Sequence, residues 1–156
     1  MTSPASVVVE LATSADTQAF GARLAGLLRP ADLLILSGAL GAGKTTLVQG
    51  IGAGLGVRGV VVSPTFVIAR VHPGGRIPLV HVDAYRLSSF DEIDDLDLDV
   101  DVADSVTAVE WGTGLAERLG ESHLALQLER DADTDVRRLM LHPSDDAWRA
   151  RLAALL

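Results

Sequence analysis

The stretch DLLILSGALGAGKTT, residues 32–46, decides the fold class of this chain. Its first six residues are nearly all apolar, which is typical of a strand buried on both faces of a parallel sheet. The run leads directly into GALGAGKT, residues 38–45, which matches G-x-x-x-x-G-K-[ST] at every fixed position. A helix is predicted from Lys44 to Leu55, so the motif lies between the strand and the helix that it requires. We therefore interpret the segment as a P-loop.

Phosphate binding explains the residue types of this loop. Glycines let backbone N–H groups converge on phosphate oxygens, and the helix that follows presents further N–H groups and the positive end of its dipole. Lys44 is the only lysine of the chain, and its ammonium is expected to reach the β- and γ-phosphates. The hydroxyl of Thr45 is predicted to bind Mg²⁺, and that of Thr46 to contact the α-phosphate. The alternative is a glycine-rich turn without a ligand.

Two carboxylates follow apolar strands and are candidates to complete the site. Asp83 ends the strand in VHVDAYRL, and Glu110 ends the strand in VTAVEWG. In an open α/β sheet, residues at the ends of strands reach the ligand crevice. Asp83 resembles a Walker B acid, although an aspartate that caps a turn would look the same. Glu110 could hold Mg²⁺ through water or accept a proton from attacking water, and the sequence leaves open which acid has which role.

Two further residues near these strands are weaker candidates. Thr65 in SPTF follows the P-loop helix, where switch threonines of P-loop NTPases complete the Mg²⁺ shell. Trp111 follows Glu110 and is either a contact for a nucleotide or partner, or an aromatic residue packed at the rim of the core. His81, close to Asp83, is interpreted as a structural residue rather than a base.

The composition narrows the class of protein. The chain has 156 residues, a formal net charge of −8 and no cysteine, which predicts a single domain over residues 1–156 and excludes disulfides and thiolate metal sites. No Lys/Arg-rich run is present, so direct binding of tRNA by this chain alone is not expected. The chain shows no signal peptide and no apolar stretch of roughly 18 residues. We expect a cytoplasmic protein that does not bind membranes.

Hydrophobic periodicity and turn residues predict an α/β fold in which part of the sheet is antiparallel. The predicted strands are Val7–Leu11, Asp32–Ser37, Phe66–Val71, one beginning at Ile77, Val106–Glu110, Leu124–Leu128 and Val136–Leu141. The predicted helices are Ala15–Leu28, capped by Thr13 or Ser14, Lys44–Leu55, short helices at Glu92–Leu98 and Leu115–Leu119, and one from Asp145 capped by Ser144.

Four motifs taken together resemble one known family. They are GALGAGKTTLVQGIGAGLG, SPTF, HVDAYRL and VEWG, and the similarity extends from about residue 13 to residue 112. In this order they resemble the bacterial TsaE family, the P-loop ATPase of the tRNA threonylcarbamoyladenosine (t6A) modification system. The resemblance implies a P-loop NTPase fold, an α/β three-layer sandwich around a mixed parallel and antiparallel sheet. It also implies Mg²⁺-dependent binding of ATP and weak hydrolysis that partner proteins stimulate.

The resemblance also assigns roles to individual positions. It implies catalytic roles for Lys44, Asp83 and Glu110, and metal binding by Thr45, Asp83 and Glu110. Contacts with the nucleotide are implied for Gly41, Ala42, Gly43, Lys44, Thr45, Thr46, Thr65, Trp111 and Arg137. The implied partners are ATP or ADP and proteins of the TsaB and TsaD type, which carry out the transfer to adenosine.

Three questions stay open at the level of sequence. A small-molecule or nucleotide kinase would share the P-loop, although no insertion with clustered arginines follows the P-loop helix. A nucleotide-binding scaffold without chemistry of its own would share it as well. The acidic segment Asp91–Asp104 is either a solvated face or a docking surface for a basic partner.

Overall fold

The computed structural model describes residues 6–39, 41–57, 69–83, 102–110 and 122–156, with only the backbone described at Asp83 and Val102. Seven strands in these ranges form one mixed sheet in the order β1-β7-β6-β2-β5-β4-β3. The strands are β1 Val7–Leu11, β2 Leu33–Gly38, β3 Ala69–His72, β4 Leu79–Asp83, β5 Val106–Glu110, β6 Leu124–Arg130 and β7 Arg137–Pro143. The helices of the described ranges are α1 Ser14–Ala25, α2 Lys44–Leu55 and α3 Asp146–Ala153, with a 3-10 turn at Val102–Asp104.

Strand directions bring several chain segments to one edge of the sheet. β2 pairs in parallel with β5 on one side and β6 on the other, and β4 is parallel to β5. β7 runs antiparallel to β6, so it begins where β6 ends. The residues at this edge, here called the carboxyl edge, are Gly38, Asp83, Glu110, Arg130 and Arg137.

The core lies mainly between the helices and one face of the sheet. Leu34 and Leu36 of β2 belong to a buried apolar cluster that includes residues of α1, α2 and α3. Leu33 and Ile35 point to the opposite face and are also buried, as a three-layer sandwich requires. The predicted α/β class, with a P-loop and a mixed sheet, is confirmed.

Helices α1 and α2 approach each other so closely that glycine is required at their contact. A Cβ at Gly50 of α2 would lie 2.2 Å from the carbonyl oxygen of Gln18 in α1, and one at Gly54 would lie 2.6 Å from that of Ala22. A Cβ at Gly21 of α1 would lie 2.6 Å from the carbonyl oxygen of Leu47. These contacts fix α2 on α1 and therefore fix the loop that enters α2.

Helix α3 is attached to the start of the central strand. The Arg151 guanidinium lies 3.9 Å from the centre of the buried Trp148 ring and forms an ion pair of 2.5 Å with Asp32, the residue before β2. It also donates a hydrogen bond to the carbonyl oxygen of Leu27. Within the described ranges no helix is long and apolar enough to cross a membrane.

Three elements have the predicted bounds, namely β1, α2 and β5, and others differ for identifiable reasons. Helix α1 is shorter than predicted because residues 26–28 form hydrogen bonds that span three residues, as in a 3-10 turn. Arg76 donates to the carbonyl oxygens of Ala25 and Leu28 at this end. The predicted helices Glu92–Leu98 and Leu115–Leu119 lie outside the described residues.

The predicted cap of the last helix was wrong by one residue. The Asp145 carboxylate, not the Ser144 hydroxyl, accepts the hydrogen bond from the backbone N–H of Trp148, at 2.9 Å. Ser144 Oγ instead accepts from the backbone N–H of His123 at 2.8 Å. Hydrogen bonds from the Ser122 side chain and the Trp148 backbone lower the pKa of Asp145, so the cap is charged near neutral pH.

A buried histidine ends β3, the strand that pairs with β4. His72 is 7% exposed, and its Nε2 has no hydrogen-bond partner among the described residues. Burial lowers the pKa of His72, and the charges of His81 and Arg70 lower it further. The imidazole is therefore held neutral in the folded protein.

Gly50→Ala tests the helix contact. The added methyl group meets backbone atoms that cannot rotate away, so we expect the free energy of unfolding to fall by about 1–3 kcal/mol. Gly26→Ala is the matched control, since its Cβ would lie 3.3 Å from its nearest neighbour at an ordinary helical φ of −63°. The control is expected to change stability by less than about 1 kcal/mol in urea unfolding. Equal effects of the two substitutions would contradict the close packing.

The stability of the protein is expected to fall at acidic pH partly through His72. Below the ordinary histidine pKa of about 6.5, the unfolded chain binds a proton at His72 that the folded protein resists. This contribution to stability is present above that pH and is lost as the pH falls through the lower folded pKa. Melting temperatures at pH 7.5 and 5.0 for the wild type and His72→Leu measure it. The variant should show the smaller decrease, and identical decreases would exclude the contribution of His72.

Candidate functional site

The P-loop follows β2 with a backbone conformation that requires glycine at several positions. Gly38, Gly41 and Gly43 have φ values of 145°, 82° and 107°, a region that L-residues with a Cβ rarely adopt. A Cβ at Gly38 would also lie 2.5 Å from the carbonyl oxygen of Leu128 in β6. The first and last glycines of the motif are therefore required by conformation, and at Gly38 also by space.

The amino end of α2 is open at the carboxyl edge. Gly43 is the N-cap, no side chain of the described residues caps the helix, and its first turn contains no acidic residue. The helical hydrogen bonds start with Leu47 N–H to Gly43 O at 2.9 Å, so the preceding N–H groups have no acceptor within the helix. The N–H of Ala42 differs because it donates to the Ala39 carbonyl oxygen at 3.0 Å. Such a helix end attracts anions, phosphate groups above all.

The side chain of Lys44, the single lysine, packs against this loop. Lys44 is 6% exposed, and its Nζ donates a hydrogen bond of 2.6 Å to the carbonyl oxygen of Gly38. The ammonium therefore lies between the end of β2 and the start of α2. Its contact with a loop carbonyl offsets part of the cost of burying a charge.

The two predicted acids occupy neighbouring positions at the carboxyl edge. Asp83 is paired with Glu110 in the parallel register of β4 and β5, and Glu110 is paired with Leu36 of β2. Glu110 is 4% exposed. The structure thus places Glu110 on the strand next to the P-loop strand and Asp83 one strand further away, whereas Thr65 and Trp111 lie outside the described residues.

His81 is a site residue whose contact the sequence did not predict. Its imidazole is fully buried, and its Nε2 lies 3.0 Å from Oε2 of Glu110. Because an ionised carboxylate only accepts hydrogen bonds, Nε2–H is the donor. The sequence contained a partial signal, since residues two positions apart on a predicted strand, such as 81 and 83, are expected to share a face.

Two arginines from β6 and β7 contact the P-loop. The Nε atom of Arg137 lies 3.2 Å from the position of a Cβ on Gly43. Arg137 is 7% exposed, and its Nε has no hydrogen-bond partner among the described residues. Arg130, which sequence reasoning missed, lies 3.5 Å from the Gly41 carbonyl oxygen through Nη1 and forms an ion pair with Asp135. Both arginines flank the β6–β7 turn, and their positions depend on the pairing of the two strands.

These features fit a nucleotide phosphate with Mg²⁺. The glycine backbone leaves the loop open, the helix end offers N–H groups, and Arg137 has a buried donor without a described partner. No group of three or more His, Asp or Glu side chains within the described ranges could hold a metal ion. Mg²⁺ commonly binds through one or two carboxylates together with substrate phosphates, and Glu110 is a carboxylate on the strand beside the P-loop strand.

Comparisons with known proteins identify the family of this chain. A family model described as threonylcarbamoyl adenosine biosynthesis protein TsaE matches residues 11–139. The tRNA threonylcarbamoyladenosine biosynthesis protein TsaE of Streptomyces coelicolor is 58% identical over 82% of this chain and 90% of its own length. The protein of the same name from Bacillus subtilis is 39% identical over 77% of this chain and 75% of its own length.

A solved structure extends the comparison to the fold. The crystal structure of Bacillus subtilis YdiB superposes with a TM-score of 0.80 and 28% identity, covering 97% of this chain and 94% of the other. The chain belongs to the TsaE family, which acts in the biosynthesis of threonylcarbamoyladenosine in tRNA.

Proposed function

We propose that this protein binds ATP with Mg²⁺ at the carboxyl edge and hydrolyses it slowly. The observation that carries the proposal is the open amino end of α2 beside the buried ammonium of Lys44. A phosphate at this position would receive backbone N–H groups and a full positive charge together. The hydrolysis would serve formation of the threonylcarbamoyl group on tRNA adenosine.

The P-loop would hold the phosphates. The amides of Gly41, Gly43 and the residues that follow would face the phosphate oxygens, as they do in P-loops generally. Lys44 would exchange its hydrogen bond to the Gly38 carbonyl for the β- and γ-phosphates. Arg137, whose Nε is buried against Gly43, would add a charged donor. Ala42, Thr46, Thr65 and Trp111 are proposed as further nucleotide contacts.

The metal would lie between the loop and the strand ends. Thr45 Oγ1 is proposed as a ligand, with Asp83 and Glu110 as the acids of the site. When bound, Mg²⁺ supplies charge neutralisation on the β- and γ-phosphate oxygens. Glu110 is proposed to orient the attacking water or accept its proton, because it lies on β5 directly beside the P-loop strand.

Hydrolysis is proposed to depend on partner proteins. The chain carries a net charge of −8, which disfavours an independent grip on the tRNA backbone. As the family resemblance implies, proteins of the TsaB and TsaD type would carry out the transfer to adenosine, and ATP or ADP in this protein would set the state of the assembly. Stimulation of phosphate release by these partners is the expected signature.

Lys44→Ala tests the nucleotide site. Removal of the ammonium is expected to weaken ATP binding at least about 100-fold in calorimetry, as loss of a strong charged contact of about 3 kcal/mol does. Gln49→Ala, one turn further along α2, is the control and should bind ATP as the wild type does. Retained micromolar affinity in folded Lys44→Ala protein would contradict the assignment.

Glu110→Gln tests the catalytic proposal. The amide keeps the size of the side chain but cannot act as a base, so phosphate release with the partners is expected to fall about 10²–10⁴-fold. ATP affinity should stay within about threefold. Glu129→Gln, an exposed glutamate near the end of β6, is the control. Unchanged hydrolysis in Glu110→Gln would favour a nucleotide-binding scaffold, and phosphate transfer to an acceptor would favour a kinase.

A further inference from the structure

A histidine that the proposed chemistry does not use holds one oxygen of Glu110. The His81 imidazole has no exposed surface, and the Glu110 side chain is 6% exposed. The hydrogen bond between them, 3.0 Å from Nε2 to Oε2, therefore lies almost entirely out of solvent. A hydrogen bond to a charged group in such surroundings is stronger than one in water.

The sheet register explains why these two side chains meet. His81 of β4 pairs with Ala108 of β5, and Asp83 pairs with Glu110 two residues further along each strand. Paired residues of neighbouring strands share a face, so His81 and Glu110 lie on the same side of the sheet.

No other described group forms a hydrogen bond with the His81 imidazole. Its second nitrogen, Nδ1, is buried and has no hydrogen-bond partner among the described residues. The orientation of the ring is therefore set by packing and by Glu110. The carboxylate is restrained in turn, because Oε2 is hydrogen-bonded to a side chain that has no exposed surface.

We propose that His81 is the positioning residue for Glu110. Its Nε2–H holds one carboxylate oxygen, so that the other oxygen is presented to the carboxyl edge beside the P-loop. The inference rests on the proposed catalytic role of Glu110 and adds a residue to it. Carboxylates at metal sites are commonly fixed in this way, and loss of such a partner costs about 10–100-fold in activity.

Two substitutions separate positioning from packing. His81→Leu removes the donor but keeps an apolar side chain in the core. His81→Gln places an amide N–H close to the position of Nε2 and can restore the hydrogen bond to Glu110. His72→Leu is the matched control, since it replaces a buried histidine of the neighbouring strand β3.

The kinetic test compares these variants with their partners present. His81→Leu is expected to lower the rate of ATP hydrolysis about 10–100-fold, with ATP affinity in EDTA unchanged within about threefold in calorimetry. His81→Gln should recover most of the rate, and His72→Leu should keep it. In a Glu110→Gln background, His81→Leu should cost less than about twofold more, because the two residues act as a unit.

A spectroscopic test needs neither nucleotide nor partners. In the ¹⁵N-labelled protein, the His81 imidazole should show a proton on Nε2 that exchanges slowly with water, and Glu110→Ala should shift that signal.

Several results would overturn the proposal. These are a wild-type rate in His81→Leu, no recovery in folded His81→Gln, an equal loss in the Glu110→Gln background, or a His81 signal that Glu110→Ala leaves unchanged. Failure of the proposed function looks different, since the wild type itself would then release no phosphate with its partners.

Discussion

The parallel pairing of β2 with β5 and β6 is the constraint on which the site depends. It places the end of β2, where the P-loop starts, between the ends of two other strands. The acid Glu110 comes from one neighbour, and Arg130 from the other. Because β7 turns back antiparallel to β6, Arg137 reaches the same edge from a strand start. A shift of one residue in any register would turn these side chains to the other face.

Close packing of the helices turns this edge into a site for an anion. The glycine contacts between α1 and α2 hold the open end of α2 in one place, so its N–H groups are oriented before a ligand arrives. The charge around the P-loop differs from the net charge of the chain. The chain as a whole carries −8, whereas Lys44, Arg130 and Arg137 concentrate positive charge around the loop. The acidic net charge therefore does not prevent attraction of phosphate to the loop, where Asp135 offsets part of the charge of the two arginines.

The sequence predicted what local patterns determine. The P-loop motif and helical periodicity gave the bounds of α2, and an apolar run ending in an acid gave those of β5. Local patterns did not predict contacts between residues that are far apart in the sequence. Ser144 and Asp145 are both residue types that cap helices well. What distinguishes them is the hydrogen bond that Ser144 Oγ accepts from the backbone N–H of His123. The contact of His81 with Glu110 and that of Arg130 with Gly41 depend on strand pairing, which a single sequence does not specify.

The central claim is that the loop between β2 and α2 holds the triphosphate, with the acids of β4 and β5 beside its last phosphate. A crystal structure with a non-hydrolysable ATP analogue and Mg²⁺ tests it most directly. The account predicts that the phosphates lie within the backbone of residues 38–46, with Lys44 turned from Gly38 to the γ-phosphate and Glu110 still bound to His81. An analogue bound elsewhere, with Lys44 unmoved, would contradict it.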